Sequence, residues 1–325
     1  MTNQAGCRSG RHIGIVSNPD RDIGLSYTQE VTEWLHDRGY TVIIDGGTTA
    51  DGTTADSTAV DGTTADGLDV YDCEFLIVLG GDGTMLRSAY KAACRSTPML
   101  GINLGNMGYL TDVDRHDGLS AIEKMLSGDF RREQRMMLET VHPLKSSSPA
   151  LNEVMIHRSE HSKLMSFSIH VNGDLMDNLR ADGMIVATPT GSTAYNLSAG
   201  GPILRPDAEM IVVTAICPHT LYTRPWVLSG NDEITIAPTT ASSYSHEHNR
   251  ENSHGDSQNV RVRPERQYHD INPAIAVVSV DGSAKFQLAP TESVTIRRSE
   301  YTATVVKTSG VDFFEVLRRK LKNEG

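Results

Sequence analysis

The sequence predicts an α/β domain with a parallel sheet, followed by an all-β, sandwich-like domain and a C-terminal helix that packs back on the core. Three observations lead to this fold class. The first third of the chain alternates apolar strands with helical patterns, as parallel α/β layers do. From about Phe130 onward, short segments alternate apolar and polar residues, which is typical of β-strands. With 325 residues, the chain is long enough for two ordinary domains.

The first domain is predicted to contain four strands and two helices. Apolar runs indicate the strands, at residues 13–16, 40–44, 75–79 and 99–102. Val31, Trp34 and Leu35 recur at helical spacing, so we expect a first helix that ends near Gly39. A second helix is expected at residues 85–94, directly after a glycine-rich loop.

Two polar stretches interrupt the pattern. The six residues DGTTAD occur at 51–56 and again at 61–66, within a stretch of about 46–70 that is poor in apolar residues. Such a composition cannot bury a core, so we expect a surface insertion, with a Ca²⁺-binding repeat as the alternative. A second insertion at about 239–270 contains four histidines. We expect a solvated loop there rather than a metal site, which would need fixed ligand geometry.

The second domain and the C-terminus complete the prediction. Alternating segments indicate strands, for instance at residues 166–171, 183–187, 233–236 and 274–280. The segment 311–322 reads as an amphipathic helix, with an apolar face of Phe313, Phe314, Val316, Leu317 and Leu321. We predict an α/β domain at 1–125, a β domain at 126–300 and a C-terminal segment at 301–325 that returns to the first domain.

Charge and composition exclude some classes of partner. The formal net charge of −11 disfavours nonspecific binding of nucleic acid or anionic membranes, since both need a surplus of Lys and Arg. No apolar run approaches the roughly 20 residues of a membrane span, and the N-terminus lacks the apolar core of a signal peptide. The four cysteines show no metal or disulfide spacing, so we expect reduced thiols and a cytoplasmic protein.

The stretch FLIVLGGDGTM combines an apolar strand with a loop of three glycines around one aspartate. Gly80, Gly81 and Gly83 allow a ligand to approach the backbone closely. The helix that follows turns free N–H groups and the positive end of its dipole toward the loop, so the loop with Thr84 is predicted to bind phosphate. Asp82 could accept a proton from a substrate hydroxyl, or hold Mg²⁺ against phosphate oxygens. No protein metal site is predicted beyond this.

Two further patterns are candidates for nucleotide binding. Asn152 and Glu153 stand at the start of a predicted strand, and their side chains could read an adenosine by donating and accepting hydrogen bonds. A turn with one exposed acid is the plainer interpretation. The hydroxyl-rich stretch 188–193 could bind a dinucleotide or be an ordinary turn before a short helix. The Walker A, G-x-G-x-x-G, G-x-S-x-G and H-E-x-x-H motifs are absent.

Five motifs in order closely resemble the NAD kinase family. They are GGDGT at 80–84, GINLGNMGYLTDV at 101–113, LNEV at 151–154, ADGMIVATPTGSTAYNLSAGGPI at 181–203 and CPHTLYTRPWVL at 217–228. The resemblance covers roughly 13–237 and 274–298 and excludes the two polar insertions. GGDGT alone would be a weaker signal, because lipid kinases and phosphofructokinases share it in similar form.

The resemblance implies a reaction and its participants. A phosphoryl group would pass from ATP, or from another donor such as polyphosphate, to the 2′-hydroxyl of the adenosine ribose of NAD, giving NADP. Mg²⁺ or another divalent ion would accompany ATP. Asp82 matches the family's base, and Asp182 matches an aspartate that reaches NAD, often across a subunit interface, so a homodimer or homotetramer is implied. The residues that match the NAD pocket are Asp82, Gly83, Tyr109, Asn152, Glu153, Asp182, Thr190, Thr193, Ala194, Tyr195 and Ser198.

Two alternatives remain at the level of the sequence. A lipid kinase of the same superfamily shares the glycine loop, but the chain lacks an apolar or basic membrane-binding face. A dinucleotide-binding sensor without turnover would share the pocket, but it would not need the base that Asp82 provides.

Overall fold

The computed structural model describes residues 12–45, 69–105, 108–111, 113–159, 165–220, 223–239, 276–289 and 291–322. These residues form two compact units. Unit 1 comprises those within Met1–Met137, Leu204–Glu209 and Ser299–Gly325, and unit 2 comprises those within Leu138–Ile203 and Met210–Arg298. The predicted domain boundaries did not assign the segment Leu204–Glu209 to the first domain. Those boundaries stay a prediction.

Unit 1 begins with a parallel α/β layer. Its first strands and helices are β1 (His12–Ser17), α1 (Ser26–His36), β2 (Thr41–Ile44), β3 (Phe75–Gly80), α2 (Asp82–Cys94), β4 (Met99–Asn103), β5 (Val113–Asp114) and α3 (Gly118–Ser127). The strands lie in the order β2-β1-β3-β4, all parallel, and β5 pairs parallel with β4. Every residue of β3 and β4 is buried, as in parallel sheets covered on both faces.

The core of this layer follows from the apolar periodicity. Tyr27, Val31 and Leu35 of α1 are buried against the sheet, as i, i+4, i+8 spacing requires. The same cluster includes strand residues Ile13, Ile15, Phe75, Ile77, Leu79, Leu100 and Ile102 together with α3 residues Ala121, Ile122 and Met125. The strand and helix assignments predicted for this part of the chain are therefore confirmed to within a few residues.

One helix boundary was predicted wrongly. Helix α2 begins at Asp82 and not at Met85, because the carbonyl of Gly81 already accepts hydrogen bonds from the N–H groups of Thr84 and Met85, at 2.9 and 3.2 Å. Asp82, Gly83 and Thr84 therefore form the first helical turn. Their position places the positive end of the helix dipole at Asp82 itself.

The first polar insertion also ends earlier than predicted. Val70 is fully buried and its carbonyl lies against Gly14 of β1, where a Cβ would come within 2.2 Å of that oxygen. Asp69 forms a salt bridge with Arg95. Residues 69 and 70 are thus part of unit 1, whereas the DGTTAD repeat and the histidines of the second insertion lie outside the described residues.

Unit 2 is built from antiparallel strands. The remaining strands are β6 (Arg131–Val141), β7 (Glu153–Arg158), β8 (Met165–Val171), β9 (Asp174–Ala181), β10 (Gly183–Ala187), β11 (Met210–Ile216), β12 (Trp226–Ser229), β13 (Ile234–Thr239), β14 (Ala276–Val280), β15 (Ser283–Leu288) and β16 (Val294–Lys307), with the short helix α4 (Tyr195–Ser198). Six strands pair in the order β12-β11-β10-β7-β14-β15. In a second set, the first residues of β16 pair with β13, β13 pairs with β8, and β8 pairs with β9. The predicted all-β character is confirmed.

The C-terminal helix α5 (Phe313–Lys322) belongs to unit 1, where the last residues of β16 also lie and pair with β4 through Val305 and Met99. Only Val316 of its apolar residues is fully buried, and Phe314 and Leu321 are about half exposed. At about 100° per residue, Phe314 and Leu321 point away from the side of the helix that carries Val316, whereas Lys320 lies on the same side as Val316. The predicted docking face was therefore too wide. None of the described helices could cross a membrane.

Candidate functional site

The predicted site residues fall into two groups, one in each unit. Unit 1 contains the glycine loop and Tyr109, and unit 2 contains all the others. The group in unit 1 is one local cluster, whereas in unit 2 Asp182 lies beside the opposite end of β7 from Glu153.

In unit 1, strand β3 ends at Gly80, and Gly81 is the extended residue before helix α2. In the first helical turn the Thr84 N–H donates to the Gly81 carbonyl, so the N–H groups of Asp82 and Gly83 are the ones that a helix start leaves without a partner in the helix. Because the glycines carry no Cβ, these N–H groups stay accessible to an anion. That the loop at 80–84 binds phosphate stays a prediction.

Asp82 is tied to the segment 108–111 by four hydrogen bonds. Its Oδ1 accepts the N–H groups of Leu110 and Thr111, at 3.0 and 3.1 Å, and the Thr111 hydroxyl at 3.2 Å. Among the described residues, its Oδ2 accepts only the N–H of Tyr109, at 2.7 Å. A carboxylate oxygen has two lone pairs, so Oδ2 keeps one for a substrate hydroxyl.

The segment 108–111 can approach Asp82 because it begins with glycine. A Cβ on Gly108 would lie 1.9 Å from Oδ1 of Asp82, a distance that no side chain allows. The buried ammonium of Lys307, near the end of β16, donates to the carbonyl of Leu110 at 3.3 Å. The position of Asp82 therefore depends on residues far away in the chain.

Three cations surround Asp82. Arg21, Arg87 and Lys320 line a cavity of about 430 Å³ together with Asn18, Gly81, Asp82, Gly83, Thr84 and Gly108. Asp82 is the only carboxylate in this lining. The Arg21 guanidinium lies so close to the loop that a Cβ on Gly81 would come within 2.9 Å of its Nη1. The cavity therefore suits a ligand with several negative charges.

The three cations were missed by sequence reasoning. Arg87 lies one turn into α2, where its Nη2 donates to Thr84 Oγ1 at 3.3 Å, so its spacing from Asp82 was a usable signal. Arg21 follows β1 and Lys320 lies in α5, with its ammonium 5.7 Å from the centre of the Tyr109 ring. Neither position shows a pattern that would connect it with the glycine loop before the chain is folded.

In unit 2, the Asn152–Glu153 pair and the hydroxyl-rich stretch 188–193 lie side by side. The N–H of Thr188 donates to the carbonyl of Asn152 at 2.8 Å, and the Thr188 hydroxyl donates to the carbonyl of Leu151 at 2.6 Å. Gly191 allows this approach, since a Cβ there would lie 2.1 Å from the Asn152 carbonyl oxygen. The structure thus brings together two motifs that the sequence only suggested separately.

Glu153 begins strand β7 and is only 7% exposed, although it is an acid. Among the described atoms, its Oε2 has no hydrogen-bond partner. Burial and the nearby Asp281 carboxylate raise the pKa of Glu153 to about 7. A buried polar atom without a partner is costly, so it indicates a place where a ligand would complete the hydrogen bonding.

The remaining predicted residues surround the short helix α4. Thr190 is buried and accepts, through its carbonyl, the Thr193 hydroxyl at 3.2 Å. Ala194 is half-buried, and Tyr195 and Ser198 are exposed. Asn196, which was not predicted, is fully buried and holds the helix by donating to the carbonyls of Ser192 and Pro202.

Asp182 lies between strands β9 and β10. Its Oδ1 forms a salt bridge with Arg158 at 3.0 Å, and its side chain is about one third exposed. Arg158 on β7 therefore balances the charge of the Asp182 carboxylate without any ligand.

No described part of the chain contains a group of three or more His, Cys, Asp or Glu side chains that could hold a metal ion. Both oxygens of Asp82 already accept N–H groups, which leaves room for one further ligand. Mg²⁺ commonly binds through one or two carboxylates and the phosphates of its substrate. The free position on Asp82 would fit one ligand bond to such a metal ion.

Two family models match the chain. The ATP-NAD kinase N-terminal domain matches residues 13–130, and the ATP-NAD kinase C-terminal domain matches residues 151–262. Among curated relatives, the NAD kinase of Acetivibrio thermocellus is 32% identical over 317 residues, covering 96% of this chain and 98% of the relative. The NAD kinase of Caldanaerobacter subterraneus is 33% identical over 317 residues, covering 96% and 99%.

Solved structures show the same fold. An NAD kinase from Archaeoglobus fulgidus, crystallised with ATP, matches with a TM-score of 0.69 at 23% identity, over 97% of this chain and 100% of that one. A yeast NADH kinase, crystallised with NADH, matches with a TM-score of 0.73 at 22% identity, over 96% and 87%.

Proposed function

The chain belongs to the NAD kinase family, and from this premise we propose how its residues bind the substrates and carry the reaction. The protein is an enzyme that phosphorylates NAD to NADP. The lipid kinase and the sensor without turnover are thereby set aside. The roles of individual residues and the identity of the phosphoryl donor are the content of the proposal.

The donor is ATP, and its phosphates bind in the cavity beside Asp82. The single observation that carries this assignment is the set of three cations, Arg21, Arg87 and Lys320, around one carboxylate. No salt bridge connects any of the three with a described carboxylate. Charge-assisted hydrogen bonds to phosphate are among the stronger ones in proteins, and the N–H groups at the start of α2 add to them.

The donor enters as its magnesium complex. A divalent metal would neutralise phosphate charge when bound, and it would be held mainly by the phosphates themselves, because the free acceptor position of Asp82 is assigned to the substrate hydroxyl. The cations and the glycine loop hold the phosphate chain in one orientation. Holding reactants in line can contribute several kcal/mol of the barrier, on the order of 7–11 in favourable cases.

The chemical step is a direct transfer. The 2′-oxygen of the adenosine ribose attacks the terminal phosphorus of ATP, and the bond from that phosphorus to the bridging oxygen breaks. The hydroxyl proton moves to Oδ2 of Asp82, the oxygen that accepts only one hydrogen bond. NADP and ADP are the products, and no covalent intermediate with the protein is needed.

NAD is bound by Asn152 and Glu153 through its adenosine, with Thr190, Thr193, Ala194, Tyr195 and Ser198 as further contacts. The unpartnered Oε2 of Glu153 supports this role, because a ligand would satisfy it. Gly83 and Tyr109 are assigned to NAD by their positions in the family motifs. Their proximity to Asp82 is consistent with that assignment.

The enzyme is a homodimer or homotetramer of the cytoplasm. Asp182 is proposed to reach NAD bound by a neighbouring subunit, which requires that its salt bridge with Arg158 leaves one oxygen for the ligand. No two described cysteines form a disulfide with each other, which suits a reducing compartment. Light scattering of the purified protein would test the assembly, and a monomer at assay concentration would contradict it.

A donor comparison tests the proposed function. The purified enzyme is incubated with NAD and Mg²⁺ together with either ATP or inorganic polyphosphate, and NADP is measured with an NADP-specific dehydrogenase. We expect NADP and an equal amount of ADP with ATP. If polyphosphate yields NADP and ATP does not, the assignment of the donor is wrong. If neither donor yields NADP, the proposed function is wrong.

A further inference from the structure

The hairpin between β14 and β15 places a second carboxylate beside the Asn152–Glu153 pair. Its two-residue loop is Asp281–Gly282, with φ of 47° and 77°, as type I′ turns require. The Asp281 carboxylate accepts the N–H groups of Leu151, Asn152 and Glu153, at 2.8, 2.8 and 3.1 Å. In return, the N–H of Asp281 donates to the Glu153 carbonyl at 3.0 Å.

The two carboxyl groups differ in their hydrogen bonding. Burial raises the pKa of Asp281, and its three N–H donors lower that pKa again in part by stabilising the charged form. Glu153 has a buried Oε2 without a donor. Two nearby carboxylates in a low dielectric do not both stay charged, so the proton is held by the one with fewer donors. That group is Glu153.

The other elements around Glu153 bring no compensating charge. On the β10 side, the apolar Ala187 pairs with Glu153. On the β14 side, the apolar Val280 pairs with Val154, the residue after Glu153. The adjoining stretch 188–193 contains only Thr, Pro, Gly and Ser. Lys285 acts on Asp281, and Asp281 is the charged group that acts on Glu153.

We propose that Asp281 is a positioning residue for NAD binding, which keeps the Glu153 carboxyl group protonated so that Glu153 donates a hydrogen bond to the dinucleotide. This rests on the proposed contact between Glu153 and NAD, and it specifies the chemistry of that contact. A neutral carboxylic acid has one O–H donor, whereas a carboxylate can only accept. The acceptors that suit it on NAD are ring nitrogens of the purine and oxygens of the ribose.

Calorimetric titration of NAD into the enzyme without a phosphoryl donor tests the inference, because the chemical step then does not contribute. For the wild type, we expect a constant dissociation constant up to about pH 6, which rises about tenfold per pH unit above pH 7 as Glu153 loses its proton. Glu153→Gln keeps an N–H donor in the same place. It should bind NAD with similar affinity from pH 5.5 to 8.5.

Asp281→Asn separates the electrostatic role from a structural one. Without the negative charge, Glu153 loses its proton more easily, so the fall in NAD affinity should begin at lower pH than in the wild type. A loss of affinity that is the same at every pH would show that Asp281 only supports the turn, and this would overturn the inference. Glu233→Gln, an exposed carboxylate of the same unit, is the matched control and should keep the wild-type profile.

Failure of the inference can be told from failure of the proposed contact. If Glu153→Gln binds weakly at every pH and the wild type does not lose affinity above pH 7, NAD needs the charged carboxylate, and the inference is wrong while the contact stands. If Glu153→Gln and Glu153→Ala both bind like the wild type throughout, Glu153 does not contact NAD, and both proposals fall.

Thermal unfolding without NAD provides an independent readout. Native Glu153 holds its proton up to about pH 7, whereas in the unfolded chain it releases the proton near its usual value. Between these values the native state binds more protons, so stability falls as pH rises and then levels off. The melting temperature of Glu153→Gln should therefore rise relative to the wild type from pH 5 to 8. A constant difference would overturn the inference.

Discussion

At the scale of single residues, the hydrogen bonds of Asp82 suit two roles, holding a neighbouring segment and accepting a proton. Its Oδ1 holds the segment 108–111, and its Oδ2 has capacity left for a substrate hydroxyl. A residue that only held the segment would affect the binding of NAD and the stability of the fold. A residue that also takes the proton would affect turnover most.

We therefore predict that Asp82→Asn lowers kcat about 10²-fold or more, the scale of losing a general base. The amide oxygen can still accept the N–H groups of Leu110 and Thr111, while the NH2 group replaces the acceptor of the Tyr109 N–H, so the KM for NAD should change less than kcat. Steady-state kinetics on the purified variant, with circular dichroism as the check on folding, measures both. Turnover close to that of the wild type would mean that Asp82 is not the base.

Glu153 is predicted to act on binding. Glu153→Ala removes a contact made equally before and during the transfer, which raises KM and leaves kcat nearly unchanged. Leaving a buried partner group unsatisfied costs about 1–3 kcal/mol, so the KM for NAD should rise about 10- to 100-fold. The KM for ATP should stay as it is. A defect confined to the KM for ATP would assign Glu153 to the donor instead.

At the scale of elements, helix α5 shows how a packed helix can contribute a functional side chain. Val316 anchors the helix, and Lys320 lies one turn further along the same side, where it reaches the lining of the cavity in unit 1. Arg319 points elsewhere and forms a salt bridge with Glu315 on the exposed part of the helix.

This contrast gives a matched pair of variants. Lys320→Ala should raise the KM for ATP about tenfold, because a charge-assisted hydrogen bond is worth about 1.5–3 kcal/mol and part of it is screened at a half-buried site. Arg319→Ala should leave the KM for ATP unchanged, since an exposed pair within one helix contributes little. Equal effects of the two variants would show that the general charge of the helix matters and not the position of Lys320.

The hairpin at Asp281–Gly282 is a second element whose shape has a consequence for the site. The Asp-Gly dipeptide between two apolar segments is a strong local signal for a two-residue turn. That signal predicts the turn but not the use of its carboxylate, which binds N–H groups 130 residues away in the chain.

At the scale of the whole molecule, a polar stretch interrupts the α/β pattern of the first domain at about residues 46–70. Val70 is buried and marks where the chain joins the core again. We predict that replacing residues 48–67 by a short Gly-Ser linker leaves kcat within a few-fold of the wild type, because this composition cannot form a core. A folded variant without activity would mean that the insertion contacts a substrate.

Much of the fold could be predicted from the sequence. The runs at 13–16, 75–79 and 99–102 are strands because they are buried on both faces of a parallel sheet, and burial leaves a continuous apolar signal. The boundaries were less certain. Helix α2 starts at Asp82 because the Gly81 carbonyl begins the helical hydrogen bonding, which no side-chain pattern records.

The sequence by itself determined what depends on neighbouring residues: the periodicity of strands and helices, the glycines around Asp82, and the motifs that resemble NAD kinases. Only the tertiary structure decided which distant residues meet, namely Arg21 and Lys320 in the cavity beside the glycine loop, and Asp281 beside Glu153. The physical reason is the distance along the chain over which each kind of interaction acts. Backbone preferences act over a few residues, whereas charges and hydrogen bonds act between whatever side chains the order of strands brings within a few ångströms.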